Sequence, residues 1–238
     1  MLRQLILGGN LVDVTLKDIK NIHLSVHPPT GRIRISAPMR TSFDTIRVFA
    51  ISKLDWIKRH QTSYQQQERE PRREYIDRES HYAWGRRYLL KVIESAEAPC
   101  VDLKHNQILL SVRPGTEQSK KHARMEQWYR EQIKEVLPPL IAKWEPILSV
   151  KLSRFFVQRM RTKWGSCNVR DRSIRLNTDL AKKPPEFLEY VLVHEMAHLI
   201  EAHHNQQFGR LMDGSLANWR MLRETLNSMP LSYTDWVR

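Results

Sequence analysis

The sequence predicts an α+β protein with an amino-terminal, strand-rich module that carries a helix, and a carboxy-terminal region in which a histidine-bearing helix lies beside a small sheet. Short segments that alternate apolar and polar residues, typical of half-exposed strands, recur along the chain. Longer segments with apolar residues at helical spacing separate and follow them. The chain has 238 residues, of which 41% are hydrophobic, so it can bury one large core or two small ones.

The first third of the chain predicts a β-hairpin followed by a helix. Residues 22–26 and 32–36 each alternate apolar and polar side chains. Residues 28–31 between them, Pro-Pro-Thr-Gly, favour a turn. Apolar side chains then recur at helical spacing over residues 43–57, which predicts a helix.

A polar segment at residues 60–80 marks the predicted boundary between two domains. It is rich in Gln, Glu and Arg and has no large apolar face, which is typical of a linker, a loop or an exposed helix end. We therefore predict a hairpin-and-helix module over residues 1–80 and a second region over residues 81–238. The most distinctive chemistry of the second region lies at about residues 150–238. No internal sequence repeat is evident.

The middle of the chain predicts further strands and a long helix. Residues 88–92 and 107–112 have strand patterns, and we expect these two strands to pair. Apolar side chains recur at helical spacing over residues 119–148. Two adjacent prolines, Pro138 and Pro139, should break or kink this helix, because proline lacks the N–H that a helix interior uses.

Two strands are predicted immediately before the histidine-bearing helix. Residues 152–160 and 173–177 have strand patterns, and we interpret them as a hairpin joined through residues 162–167. An open sheet edge at this position could hold an extended peptide by strand addition. The alternative is that both strands belong to the core of the sheet.

The most distinctive motif of the chain is the His-Glu-x-x-His run from His194 to His198. At about 100° per residue, the two histidines lie about 40° apart on one helix face, and Glu195 lies on the same side. Two imidazoles that share a metal with a carboxylate beside them are typical of a catalytic zinc site with its own base. The motif therefore predicts a metal-dependent hydrolase that binds Zn²⁺.

A catalytic zinc site usually has a third protein ligand and leaves the fourth position to water. His204 would lie about 15 Å along the axis from the first histidine if the helix continued, so the chain must turn before His204 can reach the metal. The polar residues 201–205 permit such a turn, and Asn205 is suited to capping a following helix. His203 and Glu224 are the other candidates, and spacing alone does not decide among the three.

The charge balance indicates an attraction to polyanions. There are 39 Lys and Arg against 26 Asp and Glu, which gives a formal charge of +13. No nucleic-acid-binding motif accompanies this charge, so the expected contact with nucleic acid is non-specific. The alternative functional hypothesis is a nucleic-acid-associated protein that directs protease activity to nucleic-acid-bound proteins, or that has little catalysis.

Cysteine content and hydropathy predict the cellular setting. Cys100 and Cys167 are the only two cysteines and lie far apart, which does not indicate a disulfide framework. No apolar run approaches the roughly 18 residues of a membrane span, and the apolar core of the first residues is too short for a signal peptide. We therefore expect a cytoplasmic protein without a membrane partner. The sequence indicates no oligomeric state.

The chain also resembles the YgjP-like family of predicted zinc-dependent metallopeptidases over nearly its whole length. The residues that carry the resemblance are Thr162–Cys167, Ile174–Asn177, Tyr190–Leu199, His204 and Phe208, with Arg32–Pro38 and the Trp56-Ile57 pair in the amino-terminal part. The order and spacing of these segments agree with the family throughout.

The resemblance implies a zincin-like metallopeptidase core that acts on a peptide or protein substrate. It implies zinc bound by His194, His198 and His204, with Glu195 as the general base. The family has an asparagine-histidine pair after the helix, and its histidine aligns with His204. Residues 202–203 are Ala-His here where the family usually has proline-asparagine, which keeps the histidine at 203 as an alternative ligand.

Overall fold

The computed structural model describes residues 2–27, 31–66, 72–160 and 163–229. The chain forms two compact units, Met1–Arg69 and Glu70–Arg238, and each unit has its own hydrophobic core. Within the described residues, no helix is long and apolar enough to cross a membrane. The division into domains of residues 1–80 and 81–238 stays a prediction.

The first unit is a mixed four-stranded sheet with two helices. Its elements are β1 (Leu2–Leu7), β2 (Asn10–Lys17), β3 (His23–His27), β4 (Arg32–Pro38), α1 (Phe43–Ser52) and α2 (Leu54–Gln66). β2 and β4 pair in parallel at the centre. The edge strand β1 pairs antiparallel with β2, and the edge strand β3 pairs antiparallel with β4. Val12, Ile33 and Ile46 are fully buried in its core. Alternation along β4 leaves Arg32 and Arg34 on the exposed face.

The predicted hairpin β3–β4 is confirmed, but the sequence interpretation missed β1 and β2. These strands join at Gly8 and Gly9, whose positive φ angles of 54° and 81° make a tight turn. The single predicted helix is two helices, because α1 ends at Ser52 with Lys53 as its cap, and α2 begins at Leu54. The predicted turn lies outside the described residues at positions 28–30, as do residues 67–71 of the polar segment.

The second unit begins with another mixed four-stranded sheet. Its strands are β5 (Ser80–Ala83), β6 (Arg86–Glu94), β7 (Cys100–Lys104) and β8 (Gln107–Val112). The predicted pairing of the second and fourth of these is confirmed, and it is parallel. The edge strand β5 pairs antiparallel with β6, and the edge strand β7 pairs antiparallel with β8.

The long helix α3 (Gln118–Leu148) comes after this sheet and is one continuous helix. The predicted break at Pro138 and Pro139 is therefore wrong. A proline in a helix interior costs about 3 kcal/mol, but each fully buried large side chain contributes about 1.5–3 kcal/mol. Buried side chains on both sides of the prolines, among them Leu137 and Trp144, thus hold the helix in one piece.

A three-stranded sheet leads to the histidine-bearing helix. It consists of β9 (Arg154–Gln158), β10 (Gly165–Asn168) and β11 (Ser173–Asn177), in the order β10-β11-β9. The predicted hairpin is wrong, because β9 and β11 run parallel. The segment interpreted as their connection supplies β10, which pairs antiparallel with the other side of β11. β10 is consequently an edge strand of this sheet.

Three helices complete the described part of the second unit: α4 (Pro185–Ala197), α5 (Gln206–Ser215) and α6 (Trp219–Ser228). A short 3-10 helix, Thr178–Lys182, connects β11 to α4. α4 begins at Pro185, and proline suits the first turn of a helix. The predicted cap of α5 is confirmed, since the Asn205 side chain accepts a hydrogen bond of 3.0 Å from the Phe208 N–H.

Candidate active site

The helix α4 holds His194 and His198 at its carboxyl end. It is buried on almost every side, and Leu188, Leu192 and Met196 are completely inaccessible to solvent. His194 lies in the last turn and His198 is the capping residue. The carboxyl end of a helix carries partial negative charge, which favours a cation. Packing therefore presents both imidazoles from a rigid support to a site suited to a metal.

His204 returns to the same point because the chain turns between α4 and α5. Its Nε2 atom lies 3.0 Å from the Nε2 atom of His194. The potential ligand atoms of His194, His198 and His204 all lie within 4.8 Å of one another. The Phe208 ring packs against all three imidazoles, with ring centroids 4.7 to 5.0 Å apart. His203 and Glu224 do not belong to this group and are exposed.

The donor set fits a divalent metal. Two imidazole nitrogens that each lie about 2.0–2.1 Å from one zinc ion are separated by roughly 3 Å, which matches the observed spacing of His194 and His204. The Nδ1–H of His198 donates to the Glu201 carbonyl over 3.1 Å, which leaves its Nε2 lone pair available. Burial lowers the pKa of His194 to about 3, so the imidazole is in the neutral, metal-binding form.

Glu195 lies buried beside the histidines, with only 6% of its surface exposed. Burial raises its pKa to about 7, and the charge of Lys163 opposes this rise. β10 approaches the carboxylate closely, because a Cβ atom on Gly165 would lie 2.7 Å from its Oε1 atom and 2.9 Å from Val191 Cγ1. Only glycine leaves room for this carboxylate.

A cavity of about 620 Å³ joins these groups. Its walls are formed by the residues of β10, by the face of α4 that carries His194, by the turn after α4, and by one face of α6. The edge strand β10 therefore borders the same space as the three histidines and Glu195. An extended chain placed in this space could pair with β10 while one of its carbonyl groups lies near the histidines.

Asn177 fixes the segment that leads into β10. Its Nδ2 group donates to the carbonyls of Met160 and Lys163, each over 2.9 Å. Its Oδ1 atom accepts from the N–H groups of Met160, at 3.3 Å, and of Asp179, at 3.1 Å. Because Asn177 is buried, these bonds hold Lys163 and Gly165 in place beside Glu195.

The sequence interpretation missed several residues of this cavity. Tyr190, Arg223 and Asn227 line it, and Gly165 makes room for Glu195. Gly165 lies within Thr162–Cys167, one of the segments that carry the family resemblance, but its close approach to α4 is a tertiary contact that the sequence does not show. No local signal marks Arg223, since the spacing of apolar residues in α6 indicates only an amphipathic helix.

The model of the family described as YgjP-like, metallopeptidase domain, matches residues 20–229. The chain belongs to the YgjP-like family. Its predicted family resemblance is thereby confirmed, and the chain is a metallopeptidase. Membership implies a divalent metal and peptide or protein substrates, and the three histidines are a donor set for that metal.

Two solved structures of metallopeptidase zymogens are similar to part of this YgjP-like chain. Abylysin from Pyrococcus abyssi is 17% identical, with a TM-score of 0.35, over 37% of this chain and 89% of that one. Jannalysin from Methanocaldococcus jannaschii is 19% identical, with a TM-score of 0.34, over 40% of this chain and 92% of that one. The comparison with curated proteins found no match.

Proposed function

We propose that this YgjP-like metallopeptidase uses zinc held by His194, His198 and His204, with Glu195 as the general base. The observation that carries the proposal is the convergence of three imidazoles on one point beside a buried carboxylate. Three nitrogen ligands suit zinc in a catalytic site, because they leave one coordination position open. When bound there, zinc would supply a Lewis acid for the scissile carbonyl and would lower the pKa of a water molecule.

Glu195 moves the proton in this proposal. Its carboxylate accepts a proton from the attacking water and then donates it to the nitrogen of the departing amine. Burial raises the pKa of this carboxyl above its usual range, and a raised pKa makes the carboxylate a better proton acceptor. Burial, which raises this pKa, also excludes bulk water that would compete for the proton.

The substrate is proposed to bind as an extended strand along β10. The outer edge of β10 has no neighbouring strand among the described elements, so its backbone groups are available for pairing. Residues of β10 and of α4 both line the cavity, so a peptide along this edge would pass beside the histidines and Glu195. This arrangement would place a peptide carbonyl between the histidines and Glu195.

The substitution Glu195→Gln tests the proposed base. We expect the variant to keep its bound metal and to hydrolyse peptides about 10²–10⁴-fold more slowly, because the amide cannot accept the proton. Peptide turnover and metal content are measured on the same preparation. Glu224→Gln is the matched control and should retain turnover, since Glu224 is exposed and does not line the cavity. Equal turnover by Glu195→Gln and the parent would refute the role of Glu195.

A further inference from the structure

Arg223 lies on the face of α6 that borders the cavity. Trp219, Leu222 and Leu226 anchor the helix in the core. Arg223, Leu226 and Asn227 stand three and four residues apart, so they share one helix face, and all three line the cavity. Arg223 is therefore directed toward the same space as the three histidines, from the wall formed by α6.

The guanidinium of Arg223 makes no hydrogen bond or ion pair with another residue in the part of the chain that the structure describes. Arg220, one turn earlier on α6, differs sharply. Its guanidinium binds both carboxylate oxygens of Asp213, with 3.0 Å between Nη2 and Oδ2. The helix α6 thus carries one guanidinium that is paired with a carboxylate and one that is left to face the cavity.

The charges that line the cavity favour an anionic partner. Among the described lining residues, Lys163 and Arg223 are cationic, and Glu195 is the one carboxylate. Tyr190 lines the same cavity, and the charge of Arg223 opposes the rise that burial causes in the pKa of its hydroxyl. Apolar walls such as Leu226 and Val191 strengthen an electrostatic contact in this space.

We propose that Arg223 is a specificity residue that binds a carboxylate of the peptide substrate close to the scissile bond. The planar guanidinium presents two parallel N–H donors that match the two oxygens of a carboxylate. The carboxylate belongs either to an acidic side chain or to the free carboxyl terminus of the peptide. This inference rests on the proposed function, because it assigns a substrate class to the same site.

Binding without turnover gives the most direct test. The zinc-loaded Glu195→Gln protein is titrated with carboxyl-amidated, fluorescent peptides in which one Glu is moved through an otherwise neutral sequence. At one position we expect Glu to bind about tenfold more tightly than Gln, as a charge-assisted contact provides. A neutral peptide that ends at this position, compared as free acid and as amide, shows which source of carboxylate is used.

The substitution Arg223→Met in the same background should reduce the preference for Glu to less than about twofold. Arg223→Lys should keep part of the preference because it keeps the charge, and Arg223→Glu should shift the preference toward Lys at that position. Arg210→Met is the matched control, because it removes one exposed cation that does not line the cavity. It should leave the preference at its original value.

Two results would overturn the assignment of Arg223. One is the absence of a preference for a carboxylate at every position and at the carboxyl terminus. The other is a preference that survives in Arg223→Met and Arg223→Glu. If the parent enzyme cleaves no peptide while the binding preference exists and disappears with Arg223, the proposed function fails and the specificity assignment stands. If the parent enzyme cleaves acidic and neutral peptides with equal efficiency, the proposed function stands and the specificity assignment of Arg223 fails.

Discussion

The sheets β1–β4 and β5–β8 have the same topology but lead to different structures. In each, two hairpins meet so that their second strands run parallel at the centre and their first strands form the edges. After the first sheet, two helices of 10 and 13 residues complete a closed core. After the second, the 31-residue helix α3 contacts β7 and β8 of this sheet and also β9 and α4 beyond it.

This difference shows where the chemistry of the molecule originates. The topology shared by the two sheets carries no group of metal-binding side chains in the described part of the first unit. The histidines, Glu195 and the cavity all belong to segments added after α3, from β10 to α6. The fold of a sheet thus does not determine function, and the added elements do.

Substitution of two glycines by alanine, one in each unit, gives the largest expected difference in peptide turnover. The two glycines have equally close neighbours. A Cβ atom on Gly165 would lie 2.7 Å from Glu195 Oε1, and one on Gly31 would lie 2.7 Å from Gln61 Cγ. Gly165→Ala must displace the buried carboxylate, and we expect peptide turnover to fall about a hundredfold, since small displacements of a catalytic group have such effects. Turnover and metal content are measured together, and the metal should remain.

Gly31→Ala is the counterpart in the first unit. Gly31 has a φ of 70°, so alanine there should lower the free energy of unfolding by about 1–2 kcal/mol. Turnover should be unaffected, because Gln61 has no part in the site. A hundredfold loss of turnover in Gly31→Ala, or none in Gly165→Ala, would contradict the distinction between the two units.

Removal of one core side chain from each unit sharpens the comparison further. Ile35→Ala and Leu192→Ala each leave a cavity in a fully packed core, and each should lower the free energy of unfolding of its own unit by about 2–5 kcal/mol. The two cores share no residue, so zinc affinity should fall only in Leu192→Ala. Hydrogen exchange locates the weakened unit, and metal titration measures the affinity. Loss of zinc affinity in Ile35→Ala would show that the first unit supports the site.

The smallest expected contrast is in the dependence of stability on pH. Burial lowers the pKa of His81 below 6.5, although Glu79 opposes this effect. The unfolded chain therefore binds the proton first, and the contribution of His81 to stability is lost as pH falls from 6.5 toward the folded pKa. In the first unit, the hydrogen bond from Arg32 holds the pKa of Asp13 below 3.8, so its contribution is lost only below about pH 4.

Unfolding by denaturant from pH 7 to pH 3, measured on the metal-free protein, checks both signs. The difference in unfolding free energy between the parent and His81→Gln should shrink as the pH falls below 6.5, while the difference between the parent and Asp13→Asn should change only at the acid end. A parent-variant difference for His81 that stays constant across this range would show that the ring does not titrate on unfolding.

Much of the site was predictable because its signals are local. The histidine spacing in α4 and the Asn205 cap each depend on a few neighbouring residues. The same is true of the hairpin β3–β4, where alternation and a turn coincide. These features formed as predicted because tertiary packing did not oppose them.

Other features depend on contacts between distant segments. β10 has the sequence Gly-Ser-Cys-Asn, which has little strand propensity, and β11 pairs with β9 in parallel across a long connection. The close approach of Gly165 to Glu195 and the position of Arg223 arise only when α4 and α6 are packed. Nucleic-acid binding and the cytoplasmic location stay predictions.

Bound zinc per chain tests the central claim that the segments added after α3 create the metal centre. Elemental analysis is carried out on the metal-replete parent, on His204→Ala and on His203→Ala. We predict about one zinc per chain in the parent and in His203→Ala, and loss of zinc in His204→Ala, because three ligands are needed to hold it. Zinc retained in His204→Ala but lost in His203→Ala, or no zinc in the parent, would contradict this account.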